Sequence, residues 1–168
     1  IALEMGKVAP VSLRINPDVD PKTHPYISTG LKANKFGIAH EDAIAAYRRS
    51  SELPGLSPVG IDCHIGSQLT DVSPLIESLD KLLSLIDQLA DIGIHLKHID
   101  LGGGLGVTYD QETPPHPSEY LALVKERLAG HDLTLVLEPG RSIAANAGIF
   151  VTKTILTKTN KDQHFAIV

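Results

Sequence analysis

Apolar residues recur along this chain in two rhythms. Four short runs rich in Val, Ile and Leu, at positions 11–16, 59–64, 98–101 and 133–138, each stop at a cluster of Gly, Pro or polar residues. Short apolar runs of this kind fit strands covered on both faces, as in a parallel sheet. Between them the repeat lengthens to that of a helix. Leu75, Ile76, Leu79, Leu82, Leu83, Ile86, Leu89 and Ala90 form one stripe over 73–92, with Ser73 suited to the N-cap, Pro74 to the first helical position and Gly93 to termination. Tyr120, Leu121, Val124 and Leu128 predict a second helix over 118–129, ahead of Gly130. A shorter one begins near Glu41 and includes Ala43, Ile44 and Tyr47.

Strand and helix alternate, which predicts an α/β fold with a parallel sheet and right-handed crossovers. The chain has 168 residues, short of the roughly 250 of a complete eight-unit barrel, so the expectation is a TIM-barrel portion of about four βα units. The rhythm breaks after Arg141. Residues 142–148 are mostly small, 150–156 are β-rich, and 165–168 begin another apolar strand beyond a polar turn at 158–163. That spacing predicts a hairpin. The expected organisation is a partial barrel over 1–146, with a β domain starting at 147–168.

Charge and composition narrow the partners. The net charge is −5 and the 15 Lys and Arg are scattered, which argues against nucleic acid or an anionic membrane surface. No apolar stretch reaches the roughly 20 residues of a membrane span, and residues 1–7 resemble neither a secretory signal nor a transit peptide. Cys63 is the single cysteine. It excludes an intrachain disulfide, favours a cytoplasmic setting, and lies within a strand run where a buried structural thiol is expected.

The chemistry concentrates where the strands end, the ligand face of parallel α/β folds. Asn16-Pro17-Asp18 follows the first run and leads into a long polar loop, from His24-Pro25-Tyr26-Ile27-Ser28-Thr29-Gly30 to Asn34-Lys35-Phe36-Gly37-Ile38, read as a lid. In His64-Ile65-Gly66-Ser67-Gln68, strand alternation puts Asp62 and His64 on one face, opposite Ile61 and Cys63. An imidazole there can stack on a flat ring, and Ser67 can donate to an anion. Gly102, Gly103 and Gly104 can bare their N–H groups as a phosphate nest. Val107 stands where a Rossmann fingerprint needs its third glycine, and no Gly-Lys-Ser/Thr follows as in a P-loop. Glu138-Pro139-Gly140-Arg141 ends the last run with an acid and a planar fork for carboxylate or phosphate. Taken singly, these segments also read as a satisfied core histidine, a flexible turn, an exposed connection or a surface ion pair. Their recurrence after successive strands favours a shared site.

In order and spacing, the His-Pro-Tyr-Ile-Ser-Thr-Gly loop, Lys-Phe-Gly-Ile, His-Ile-Gly-Ser-Gln, the glycine triplet and Glu-Pro-Gly-Arg resemble the diaminopimelate decarboxylases along essentially the whole chain. These are enzymes of the alanine-racemase-like class, with a pyridoxal-phosphate barrel followed by a β domain. The resemblance implies pyridoxal 5′-phosphate as cofactor. His64 would stack on its ring and Glu138 would meet the pyridine nitrogen. Ser67, Gly102, Gly103, Gly104 and the Pro139-Gly140-Arg141 turn would surround its phosphate, and Arg141 would also bind a substrate carboxylate. The implied reaction is decarboxylation of meso-2,6-diaminopimelate, a small amino acid, to L-lysine and carbon dioxide by a cytoplasmic homodimer without metal. No catalytic residue is expected within the chain. The Schiff-base lysine would lie upstream, because Lys32-Ala33-Asn34 falls in the lid loop rather than after an apolar strand, and the partner-contributed cysteine motif would lie downstream. The chain by itself is therefore expected to be catalytically silent. Alternatives remain open: an ornithine, arginine or carboxynorspermidine decarboxylase; a small non-catalytic pyridoxal-phosphate carrier; or a metal-dependent barrel hydrolase using Asp62, His64, His98, Asp100 and Glu138, in which the glycines have no role.

Overall fold

The computed structural model describes residues 1–20 and 36–168. Five parallel strands, β1 (Ala9–Asn16), β2 (Ile38–Ala39), β3 (Leu56–Asp62), β4 (His98–Asp100) and β5 (Thr134–Val136), form one open sheet in the order β2-β1-β3-β4-β5. Helices α1 (Ala43–Glu52), α2 (Ser73–Asp91) and α3 (Pro117–Arg127) connect them. This is the predicted α/β arrangement, a barrel portion that does not close.

Helix α2 supplies much of the core. Leu75, Leu79, Leu82, Leu83, Ile86 and Leu89 are buried along its stripe together with Leu85. They pack in one cluster with Ile15, Ile61, Ile99, Tyr47 and Val124. Burying a single Leu or Ile side chain contributes about 1.5–3 kcal/mol. Tyr47 is fully buried, and its hydroxyl donates to the Gly60 carbonyl at 2.7 Å, so its one polar side-chain atom is satisfied.

Helix ends differ from expectation for reasons of competing acceptors. Ser73 is the first helical residue rather than the cap; Val72 occupies the N-cap. The Asp71 carboxylate accepts from both the backbone N–H and the hydroxyl of Ser73, at 2.8 and 2.7 Å, and an ionised oxygen is the stronger acceptor. At α3 the cap is His116, whose Nδ1 accepts from Ser118 N at 3.2 Å, and Pro117 opens the helix.

The short β2 was not anticipated. Ile38 and Ala39 become a strand only by pairing with Ile15 and Asn16. The lid expectation at 24–30 and 34–35 falls outside the described residues; Phe36, next to them, is tied back by Asn16 Nδ2, which donates to its carbonyl at 2.7 Å.

Beyond α4 (Gly140–Ala144) the chain forms the expected hairpin, but shifted. Residues 150–155 are not a strand. The pairing runs from Leu156↔Ile167 to Asn160↔Gln163, between β6 (Leu156–Asn160) and β7 (Gln163–Ile167). The two-residue turn Lys161-Asp162, with Lys161 at φ 52°, sets that register. It leaves residues 150–154 without a strand opposite among the described residues. Among those residues no helix is long and apolar enough to cross a membrane.

Candidate functional site

Strand register brings the chemistry together. Asp62 pairs with Asp100, and Asp100 with Val136, so the loops after β3, β4 and β5 leave the sheet side by side. Ile61 and Ile99 are fully buried in the helix-packed core, while Asp62, His64, His98 and Asp100 are partly exposed. Cys63 is 2% exposed and its thiol is pushed up to about 12 by burial and then by Asp62 and Asp100, which makes it the inert thiol expected.

The loops are bonded to one another. Leu69 N donates to Gly104 O and Gly106 N to Leu69 O, both at 2.8 Å. Gln68 clamps Val107 from both sides, Nε2 to the carbonyl at 2.6 Å and Oε1 from the N–H at 3.1 Å. Glu138 N donates to Gly102 O at 2.8 Å. Gly102 sits at φ 64°, and a Cβ there would lie 2.6 Å from the Cys63 carbonyl and 2.7 Å from His64 Nδ1. Only glycine fits that approach.

The glycine triplet does not present three bare N–H groups. Gly102 N donates to Asp100 Oδ1 at 2.8 Å and Gly103 N to His64 Nδ1 at 3.3 Å. The second bond requires an unprotonated Nδ1. It agrees with the direction of the His64 pKa, which lies below 6.5 through burial first and the Arg14 guanidinium second, against weaker opposite pulls from Glu138 and Asp100. The imidazole is therefore neutral near pH 7, and its 3.9 Å approach to Glu138 Oε2 is a polar contact rather than an ion pair. The neutral ring and the glycine turn beneath it are one unit.

Arg141 occupies the third loop. Its Nε and Nη2 donate to Ser67 Oγ at 3.1 and 2.9 Å, and Nη1 donates to the Tyr109 hydroxyl at 2.5 Å. Its Cζ lies 5.6 Å from the Tyr109 ring centroid. Among the described residues it has no carboxylate partner, so a cationic fork is held by neutral groups only. Ser142 Oγ reaches Leu105 O at 3.3 Å, and an apolar cleft of about 270 Å³ runs beside the turn between Gly103, Tyr120, Leu137 and Pro139.

Sequence reasoning therefore located His64, Ser67, the glycines, Glu138 and Arg141 in one place, and it missed three residues that arrange them. Tyr109 is an exposed aromatic three residues past Gly106, a visible signal in a ligand-face loop. Gln68 belonged to a quoted motif without a role. Arg14 donates to the His64 carbonyl at 3.3 Å, faces Asp62 across the strand pair, and shifts its neighbours: the Asp62 carboxyl is raised by burial first and Asp100 second, and Arg14 opposes that rise. The metal alternative finds no support in the geometry. Among the described residues no three His, Cys, Asp or Glu side chains converge, and His98 instead lies against Gly60, where any Cβ would collide with its ring.

A half-buried neutral imidazole, a turn too tight for a Cβ and an uncompensated guanidinium backed by hydroxyls fit a flat, anionic cofactor. Fold and site thus define a cofactor-binding domain of the (β/α) barrel class. Residues 1–145 match the family described as pyridoxal-dependent decarboxylase, pyridoxal binding domain, and the chain belongs to that family, whose cofactor is pyridoxal phosphate. It is 57% identical over its whole length to a diaminopimelate decarboxylase of Pseudomonas aeruginosa, of which it covers 40%. Among solved structures it is similar to a diaminopimelate decarboxylase of Helicobacter pylori complexed with L-lysine, with TM-score 0.86 and 42% identity over 98% of this chain and 41% of that one. A lysine decarboxylase of Selenomonas ruminantium matches at TM-score 0.74 and 26% identity, over 97% and 42%. The chain spans about 40% of the length of these curated relatives.

Proposed function

We propose that this chain is the cofactor-holding part of a diaminopimelate decarboxylase, which converts meso-2,6-diaminopimelate to L-lysine and carbon dioxide. The observation that carries the reading is Arg141, a guanidinium with no acid partner among the described residues, held by Ser67 beside the His64 and glycine unit. His64 offers its neutral ring to the cofactor face. Glu138, at the open end of its strand, holds a proton at the pyridine nitrogen by a charge-assisted bond. Ser67, Arg141 and Gly104, whose N–H the neighbouring loops leave without a partner among the described residues, grip the phosphate. Gly102 and Gly103 serve by letting the turn close on His64, and Pro139 and Gly140 by starting the turn that carries Arg141, which also takes a substrate carboxylate. Bound pyridoxal phosphate supplies the electron sink for the pair left behind when carbon dioxide departs.

The full-length enzyme is read as a cytoplasmic homodimer, and residues 147–168 as the start of its β domain. The exposed Phe150, Val151 and Ile155 beside the hairpin support a further packing partner there.

The test is carbon dioxide release by the full-length protein from meso-diaminopimelate, L-lysine and L-ornithine in parallel. Release from meso-diaminopimelate, with the other two at background, is expected. Preferential turnover of lysine or ornithine overturns the substrate and leaves the family intact.

A further inference from the structure

The bonds around Arg141 have a direction. A guanidinium only donates, so the oxygens of Ser67 and Tyr109 act as acceptors towards it. Each hydroxyl keeps its own hydrogen, and neither hydrogen has an acceptor among the described residues. Nη1 and Nη2 likewise retain an N–H beyond the bonds they make. The cluster thus holds spare donors around a positive charge, with no acceptor for them among the described residues.

Such a set is satisfied by a ligand that only accepts, an oxyanion. Tyr109 is presented to it by its own loop. The Glu112 carboxylate accepts from the N–H groups of Tyr109 and Asp110 at 3.0 and 2.8 Å, and Thr108 Oγ1 donates to the Glu112 carbonyl at 2.9 Å. The phenol is consequently fixed at the backbone while the residue stays 57% exposed.

We infer that Tyr109 is a third oxyanion-binding side chain beside Ser67 and Arg141, donating its hydroxyl hydrogen to the same bound anion while its oxygen steers the guanidinium. The inference rests on the reading of Ser67 and Arg141 given above and extends it. The oxyanion is either the cofactor phosphate or a substrate carboxylate, and the two sources separate experimentally.

The test uses the full-length protein as wild type, Tyr109→Phe and Tyr109→Ala. Affinities are measured for inorganic phosphate, pyridoxal 5′-phosphate and pyridoxal, with KM and kcat for meso-diaminopimelate. Loss of one hydrogen bond to a charged group corresponds to about ten- to a hundredfold in affinity. If the anion is the phosphate, Tyr109→Phe weakens phosphate and pyridoxal phosphate by that factor and leaves pyridoxal unchanged. If it is the carboxylate, pyridoxal phosphate binding holds and KM rises with kcat kept. Either result supports the inference. Wild-type behaviour of Tyr109→Phe in every assay overturns it, and so does equal weakening of pyridoxal and pyridoxal phosphate. Loss confined to Tyr109→Ala would assign the effect to ring packing alone and also overturns it. Wild-type protein that binds phosphate but not pyridoxal phosphate would sink the cofactor reading while leaving the oxyanion site standing.

Discussion

Replacing Gly102 by Ala separates backbone strain from active-site crowding when it is set beside Gly130→Ala. Both glycines have positive φ, 64° and 93°. A Cβ at Gly130 meets nothing within 4 Å, whereas at Gly102 it lies 2.6 Å from the Cys63 carbonyl and 2.7 Å from His64 Nδ1. An L-residue in the left-handed region costs about 1–2 kcal/mol, and that is the whole expected effect at Gly130. At Gly102 the Cys63 carbonyl belongs to the chain leaving β3 and cannot swing away, so His64 must yield as well. Overpacking of this kind adds about 1–3 kcal/mol, giving about 2–5 kcal/mol in total. Urea unfolding of both variants in the full-length protein measures the difference. Displacing His64 also breaks its bond with Gly103 N, so pyridoxal phosphate affinity is expected to fall at least about tenfold in Gly102→Ala and to stay near wild type in Gly130→Ala. Equal midpoints and equal affinities in the two variants would refute the argument that the glycine is needed for close approach rather than for φ alone.

Other consequences are open to direct measurement. Leu82, fully buried in α2, is expected to lose about 2–5 kcal/mol on truncation to Ala, read from the same urea curves. The Cys63 thiol, buried and pushed up to about 12, should resist thiol reagents at pH 8 in the folded protein and react at once in denaturant; fast labelling of folded protein would contradict that burial. In an NMR titration His64 should protonate below 6.5, and Arg14→Met should move its midpoint upward, because burial and Arg14 are what depress it. The sign for stability follows: in the window between the depressed midpoint and 6.5 the unfolded chain binds more protons, so the His64 contribution is complete above 6.5 and is lost as pH falls through that window. Asp62, raised above 3.8, works in the opposite sense at lower pH.

What the sequence revealed and what it concealed divide along range of interaction. The α2 stripe was legible because each turn repeats the same face, and Gly93 marked its end. Its start at Ser73 was legible too; its cap was not, because Ser73 donates to Asp71 through bonds that periodicity does not encode. Strand β2 has two residues and exists through Ile15 and Asn16, far from it in the chain. The hairpin was visible as a β-rich run and an apolar run, but its register came from the turn at Lys161, which starts the first strand at Leu156, after Phe150 and Val151. The cassettes were found because residue type and strand-end position are both local. Tyr109 lies 32 residues from Arg141, and nothing local links them.

The same distinction explains why three bare glycine N–H groups were expected and not found. A glycine triplet considered alone has its amides free; folded between two neighbouring loops, it spends Gly102 N on Asp100 and Gly103 N on His64. Burial and Arg14 keep the imidazole neutral, and the Gly103 bond, which a protonated Nδ1 could not accept, fixes its orientation. Gly102 and Gly103 therefore act on the loop and the histidine, and among the described residues the donors left over lie at the rim, at Gly104, Ser67, Tyr109 and Arg141. On the proposed reading, the anion would sit at the edge of a turn whose interior is already satisfied. A change in any of the three loops reaches the other two through the bonds they share.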